Sequence, residues 1–412
     1  MRFEPVAMTD PSPSVPSSVP TLTVWFMAAS TGVIVANIYY MQPLLADIAR
    51  TFGLTVTTIG FVAMLTQVGT SLGMLFFVPL GDSRERRSLI SLLLVCAAVA
   101  LTLTATARNL VWLALACFGV GMMGSTVHLF VPFAAHLAPP RERGRVVGSV
   151  FSGILLGILL ARTFSGFVGA HLGWRAVYGI AAGMMLGIAI LVQFLLPRST
   201  AVVKLPYLSL LRSTMELVRA HAELRESAFL GACLFCCFSA FWTTLVFLLE
   251  TPPYHYGAQT AGLFGLVGAA GAAGAPIVGR LTDKHGPRFA VGLALSSVLV
   301  SYVILWTTGK TLAGLIAGVL LLDLGTQAGH VANQTRIYGL ATDARSRVNM
   351  FYMVCYFAGG AVGSLLGAYS WRVHGWPGVC AFCLVVACTA LLKFAAGRPL
   401  ARVDRVAQTD AE

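Results

Sequence analysis

The sequence predicts an all-α integral membrane protein, with twelve transmembrane helices in two six-helix bundles related as parallel repeats. Composition is the first reason. Of 412 residues, 57% are hydrophobic and 11% charged, whereas a soluble domain carries roughly 25% charged residues to solvate its surface. The second is a succession of apolar runs long enough to cross a hydrocarbon core of ~30 Å. The third is that landmark residues recur at a nearly constant offset. Soluble enzymes, nucleic-acid binders and disordered proteins are excluded on composition alone.

Each span is marked by where its run meets charge. Residues 1–20 are Pro/Ser-rich and read as a disordered cytoplasmic tail. The apolar segment that follows is a full span, not the short core of a cleaved signal. The first run, 22–45, ends before Arg50, and 57–80 leads into Arg84, Arg86 and Arg87. Run 88–107 stops at Arg108, and 110–137 meets Arg141, Arg143 and Arg145. Run 146–170 is divided from 175–196 near Arg175. A polar tether, 197–225, holds Arg198, Lys204, Arg212, Arg219 and Arg225, and its Leu210–Arg225 stretch has the composition of a surface helix.

The second half runs likewise. Spans 226–250 and 258–280 precede Arg280, Lys284 and Arg288; spans 289–307 and 311–338 flank Lys310. Arg345 and Arg347 precede 347–371, Arg372 separates it from 376–396, and the tail 397–412 adds Arg398, Arg402 and Arg405. Only helices satisfy their backbone over such lengths, since barrel strands need about ten residues. Basic loops stay cytoplasmic, so both termini and the tether are expected inside the bacterial inner membrane. The net charge of +12 is then a topology signal, not a nucleic-acid surface. All nine cysteines fall in apolar runs. Cys380-x-x-Cys383 sits in an uncharged apolar span, so it reads as helix packing, and no metal or cofactor is expected.

Leu80, Asp82 and Arg87 recur as Leu281, Asp283 and Arg288 at an offset of 201. At 202, His128 recurs as His330, Arg143 as Arg345, Arg145 as Arg347, and Gly173-Trp174 as Gly375-Trp376. An even number of spans per repeat gives two bundles, 21–196 and 226–396, of the same orientation.

On these residues the chain resembles the major facilitator superfamily of secondary transporters. Gly81-Asp82-Ser83-Arg84-Glu85-Arg86-Arg87 resembles the family's loop between spans 2 and 3, echoed by Arg280–Arg288. Asn37-Ile38-Tyr39-Tyr40-Met41-Gln42-Pro43 and Asp323-Leu324-Gly325 resemble a bacterial group classed beside the drug:proton antiporters. Two departures qualify that narrower likeness. Leu160-Ala161-Arg162-Thr163 stands where the antiporters carry a Pro-Gly core, and Leu115 where they often carry Arg. The resemblance implies alternating access, export rather than uptake, and a conformational latch. Asp82, Arg86 and Arg87, with Asp283 and Arg288 in the second half, would form that latch through charge-assisted contacts beside helix ends.

Polar groups inside hydrocarbon are costly and face a cavity or a partner. Asp323, Gln327, His330 and Gln334 form one stripe at i, i+4, i+7 and i+11 on span 10. Asp323 is the carboxylate nearest mid-span. Desolvation favours its neutral acid, which suits a proton carrier. Arg162, on span 5, is the comparably deep cation. Either the two pair, or they serve separately as ligand and proton groups. Asn37 and Tyr40, with Tyr39 and Gln42, come from span 1 and Gln67 from span 2. Span 4 supplies His128 and a kink at Pro132; Asn349, Tyr352 and Tyr356 come from span 11.

The expected function is secondary active transport of a small molecule at a midplane site, driven by protons and exporting. A proton-coupled nutrient symporter is the alternative, and a transporter-like receptor without turnover a more remote one. No Walker loop or H-E-x-x-H motif is present, so an enzyme is not expected. The partners expected are substrate and bilayer, without nucleic acid, and two halves suffice for a functional monomer.

Overall fold

The computed structural model describes residues 19–198, 207–272, 274, 284–340 and 344–397, apart from the side chains of 82, 83, 207, 208 and 210. Every regular element among them is helical. In the first half these are α1 (Thr21–Ala36), α2 (Met41–Phe52), α3 (Val56–Ser83), α4 (Arg86–Ala105), α5 (Leu110–Gly124), α6 (Val127–Leu137), α7 (Arg143–Leu172) and α8 (Trp174–Leu195). α9 (Tyr207–Ala220) is the surface helix of the tether. The second half contains α10 (Ala222–Glu250), α11 (Ala258–Ala272), α12 (Pro287–Thr308), α13 (Leu312–Tyr338) and α14 (Arg345–Ala396). Ten segments of the described chain are long and apolar enough to cross a bilayer. One of them, α14, is two helices meeting at non-helical His374 and Gly375. The helix read as 258–280 is described only to Ala272, too short to be among the ten.

Local sequence sets the starts. Thr55, Glu85, Asn109 and Thr311 each turn a side-chain oxygen onto backbone N–H groups that a helix leaves unpaired. Span 1 is interrupted at Asn37–Tyr40, between α1 and α2. Span 4 is interrupted at Ser125–Thr126, not at Pro132, which lies inside α6. Ser125 Oγ donates to the Met122 carbonyl at 2.7 Å and Thr126 Oγ1 to that of Met123 at 2.6 Å. Such side-chain bonds compete with the helix backbone, and here they coincide with the break ahead of the proline.

The repeat seen in sequence recurs in geometry. Gly173 and Gly375 both adopt positive φ (82° and 59°), which glycine tolerates without a Cβ clash, and each turns the chain into a helix led by a buried Trp. Arg87 donates to the Leu196 carbonyl at 3.1 Å; Arg288, its counterpart, donates to the Gly397 carbonyl at 2.7 Å.

The halves meet on the face opposite the arginine-rich loops. There α7 crosses α11 so closely that a Cβ on Gly166 would lie 2.6 Å from the Ala258 carbonyl oxygen. Thr163 Oγ1 donates to the Gly262 carbonyl at 3.1 Å. α3 packs on α14, and α2 on α10. Arg50, on α2, donates to both oxygens of Glu250, on α10, at 2.8 and 2.7 Å, and also bonds Asp47. On the arginine-rich face the halves separate and leave a cavity.

Candidate substrate and coupling site

The cavity encloses about 490 Å³, within the 300–1,000 Å³ of small-molecule sites. Its two walls differ chemically. The first half contributes chiefly apolar side chains, among them Val35, Val78, Val131, Phe151 and Ile154. The second half contributes Gln327, His330, Gln334 and Asn349. Tyr338 and Arg345 stand toward the arginine-rich face. A separate hollow of about 640 Å³ between α4 and α5 is walled by Val99, Leu103, Val111 and Leu115. These side chains are outward and exposed, so this hollow belongs to the lipid-facing surface.

The stripe on α13 turns into the cavity from Gln327 to Gln334. His330 Nδ1 lies 3.1 Å from the Tyr352 hydroxyl, and its ring lies 4.7 Å from that of Tyr356. Gln334 Nε2 donates to Asn349 Oδ1 at 3.1 Å. His128, the repeat partner of His330, lines the opposite wall. Tyr356 also lines the cavity, while Tyr352 stands behind His330 and orients it.

Asp323 and Arg162 lie past the inner end of the cavity, 1% and 0% exposed, and neither is among the lining residues. They are not an ion pair: no nitrogen–oxygen contact within 4 Å joins them among the described residues. Arg162 Nε donates to Gln42 Oε1 at 2.6 Å. The guanidinium carbon sits 3.9 Å from the Trp242 ring centre, 5.1 Å from that of Tyr39 and 5.3 Å from that of Phe238. An unpaired buried cation is costly, and three aromatic faces with one amide oxygen offset that cost. Asp323 lies beside the same tryptophan. A Cβ on Gly268 would meet Asp323 Oδ1 at 2.9 Å and Trp242 Cζ2 at 3.1 Å. Asp323 Oδ2, Arg162 Nη2 and Trp242 Nε1 are all buried without a hydrogen-bond partner.

A family model described as Major Facilitator Superfamily matches residues 25–364 and 272–412. The chain belongs to the Major Facilitator Superfamily. It is 41% identical to the "Uncharacterized transporter YgaY" of Escherichia coli O157:H7, over 89% of this chain and 93% of that protein. It is 36% identical to the "Probable transporter SCO4007" of Streptomyces coelicolor, over 92% and 88%. Among solved structures, an inward-facing, unoccupied bacterial homolog of the human lysosomal transporter Spinster shares the fold, with TM-score 0.71 and 17% identity over 91% of this chain and 93% of that one. The protein is therefore a multi-pass membrane transporter of a bacterial major facilitator family.

Within that fold, several residues expected at the site lie elsewhere. Asn37 is buried in the α1–α2 break, its amide donating to the Ile34 carbonyl at 3.1 Å. Tyr40 packs on Phe164, ring centres 5.5 Å apart. Gln67 is buried in α3 and does not line the cavity. Of the expected latch, the side chain of Asp82 and all of Asp283 fall outside the described residues. Arg86 donates to the Gly81 carbonyl at 3.0 Å, Arg87 to Gln193 Oε1 at 3.1 Å, and Arg288 faces Glu226 at 3.5 Å. These described contacts stay within one half each. Trp242 and Phe238 were not singled out in the sequence. They sit in an aromatic run of span 7 whose spacing looks like packing, and only the fold sets them against Arg162.

Proposed function

We propose that this major facilitator protein exports a small amphipathic molecule in exchange for protons. In this reading the arginine-rich face is cytoplasmic, and the structure represents an inward-open state. The observation that carries it is a cavity open to one face that ends below Asp323, a buried carboxylate with no ion pair. A carboxylate paired throughout the cycle would stay ionised, whereas one free of its cation and removed from water can take up a proton. Arg162, over the same Trp242 ring, is the cation that would balance the carboxylate once the proton leaves. The two-sided cavity supports an amphipathic cargo. The α13–α14 wall offers amide, imidazole and phenol groups, and the opposite wall offers aliphatic surface.

The test uses inverted vesicles with an imposed pH gradient and a pH-sensitive dye in the lumen. An exported compound from a broad panel is predicted to release lumenal protons and to accumulate inside. The Asp323→Asn protein should do neither. Accumulation that persists without a pH gradient, or in Asp323→Asn, contradicts proton coupling through this residue. Accumulation only under the reverse gradient would instead indicate uptake.

A further inference from the structure

We propose that Arg162 is the tethered, resident occupant of an aromatic cation site at the inner end of the cavity. By filling that site it restricts cargo to uncharged or anionic amphipaths and excludes organic cations. The inference rests on the reading of this cavity as the substrate site.

Three rings converge on one cationic centre at 3.9, 5.1 and 5.3 Å, inside the ~6 Å over which a cation is drawn to a ring face. A Trp, a Tyr and a Phe around a cation, with a carboxylate beside the Trp, make up a site for a quaternary or alkyl ammonium. Two of the rings, Tyr39 and Phe238, also line the cavity, so the cage and the cargo space share a wall. The cage is already filled. Gln42 Oε1, at 2.6 Å from Arg162 Nε, fixes the guanidinium there, and the Ile158 carbonyl, 3.5 Å from Nη1, supports it from the same helix.

The rest of the cavity gives a second cation no compensating charge. Among its described lining residues the titratable groups besides tyrosines are Arg345, His128 and His330, with no Asp or Glu. A cationic cargo would have to leave water and stack against rings already committed to Arg162. A second positive charge beside the Arg162 guanidinium in a low-dielectric site is strongly unfavourable. An uncharged or anionic head meets no such penalty, and the unpartnered Nη2 of Arg162 is a spare donor at the end of its path.

The experiment compares three near-isosteric probes: phenylbutanol, phenylbutyrate and phenylbutyltrimethylammonium. Binding to the purified full-length protein is read as ligand-dependent stabilisation against heat. The parent protein is predicted to be stabilised by the alcohol and the carboxylate, and to bind the ammonium about tenfold or more weakly. In Arg162→Ala the cage is vacated beside Asp323, and the order should invert, with the ammonium binding tightest. Arg162→Lys keeps a resident cation and should keep the exclusion. Three results overturn the inference: parent protein that binds the ammonium as well as the alcohol, parent that binds neither of the other two probes, or folded Arg162→Ala that gains no ammonium binding. If Arg162→Ala does not fold, the parent's ranking and Arg162→Lys still decide. These are equilibrium shifts without a gradient, so a failure of proton coupling leaves them unaffected and the two readings fail separately.

Discussion

Asp323 stays without an ion pair because of how its neighbours are engaged. Arg162 carries the charge that would neutralise it, but Gln42 and three ring faces hold that charge. Gly268 leaves room for the carboxylate against Trp242. Substituting Gly268→Val is therefore predicted to displace Asp323 or Trp242 and to slow proton-driven transport by tenfold or more in a protein that still folds, measured as initial rates in vesicles. Rates unchanged by the added side chain would show that this contact is not needed. The sequence already displayed Asp323, Gln327, His330 and Gln334, because four polar side chains at helical spacing in an apolar span are costly unless they face a cavity or a partner. It did not display Trp242, because an aromatic residue in an apolar helix looks the same whether it packs against leucine or covers a guanidinium. It also placed Asn37 and Tyr40 by their polarity alone, whereas one serves a helix break and the other packs on Phe164.

At the scale of helices, the contacts between the halves are of two kinds. The α7–α11 crossing depends on glycine, since even a methyl on Gly166 would lie 2.6 Å from a backbone oxygen. Such small-residue contacts are how helices approach closely in lipid. Gly166→Leu is predicted to pry these helices apart, weaken closure on the face opposite the arginines, and lower thermal stability by a few degrees in detergent. A Leu variant as stable and as closed as the parent would count against the crossing as a closure element. The Arg50–Glu250 bridge is different, as its side chains are 60% and 25% exposed. Exposed pairs contribute about 0.2–1 kcal/mol, enough to bias a two-state equilibrium severalfold but not to lock it. Spans were legible wherever charge bounded an apolar run. The break at Ser125–Thr126 was not, because two hydroxyl residues in an apolar span leave no mark as conspicuous as the nearby Pro132.

Over the whole molecule, the duplication visible in sequence becomes a shared mechanical plan. Arg87 and Arg288 tie equivalent helix ends, Gly173 and Gly375 make equivalent turns, and His128 and His330 face one another across the cavity from equivalent positions. Two such bundles, closed at one face and parted at the other, can expose one site alternately by rocking about it. The most direct test of that claim is the accessibility of a single cysteine, Gln327→Cys, in a background with the nine native cysteines replaced. An impermeant maleimide is applied to right-side-out and to inverted vesicles. The account predicts fast labelling from the cytoplasmic side and slow labelling from outside. When Arg50→Ala and Glu250→Ala remove the outer bridge, outside labelling should rise severalfold, while cytoplasmic labelling, which reports the majority state, falls only slightly. Access that never appears from outside, in the parent or in the bridge-free protein, would contradict alternating access at this site.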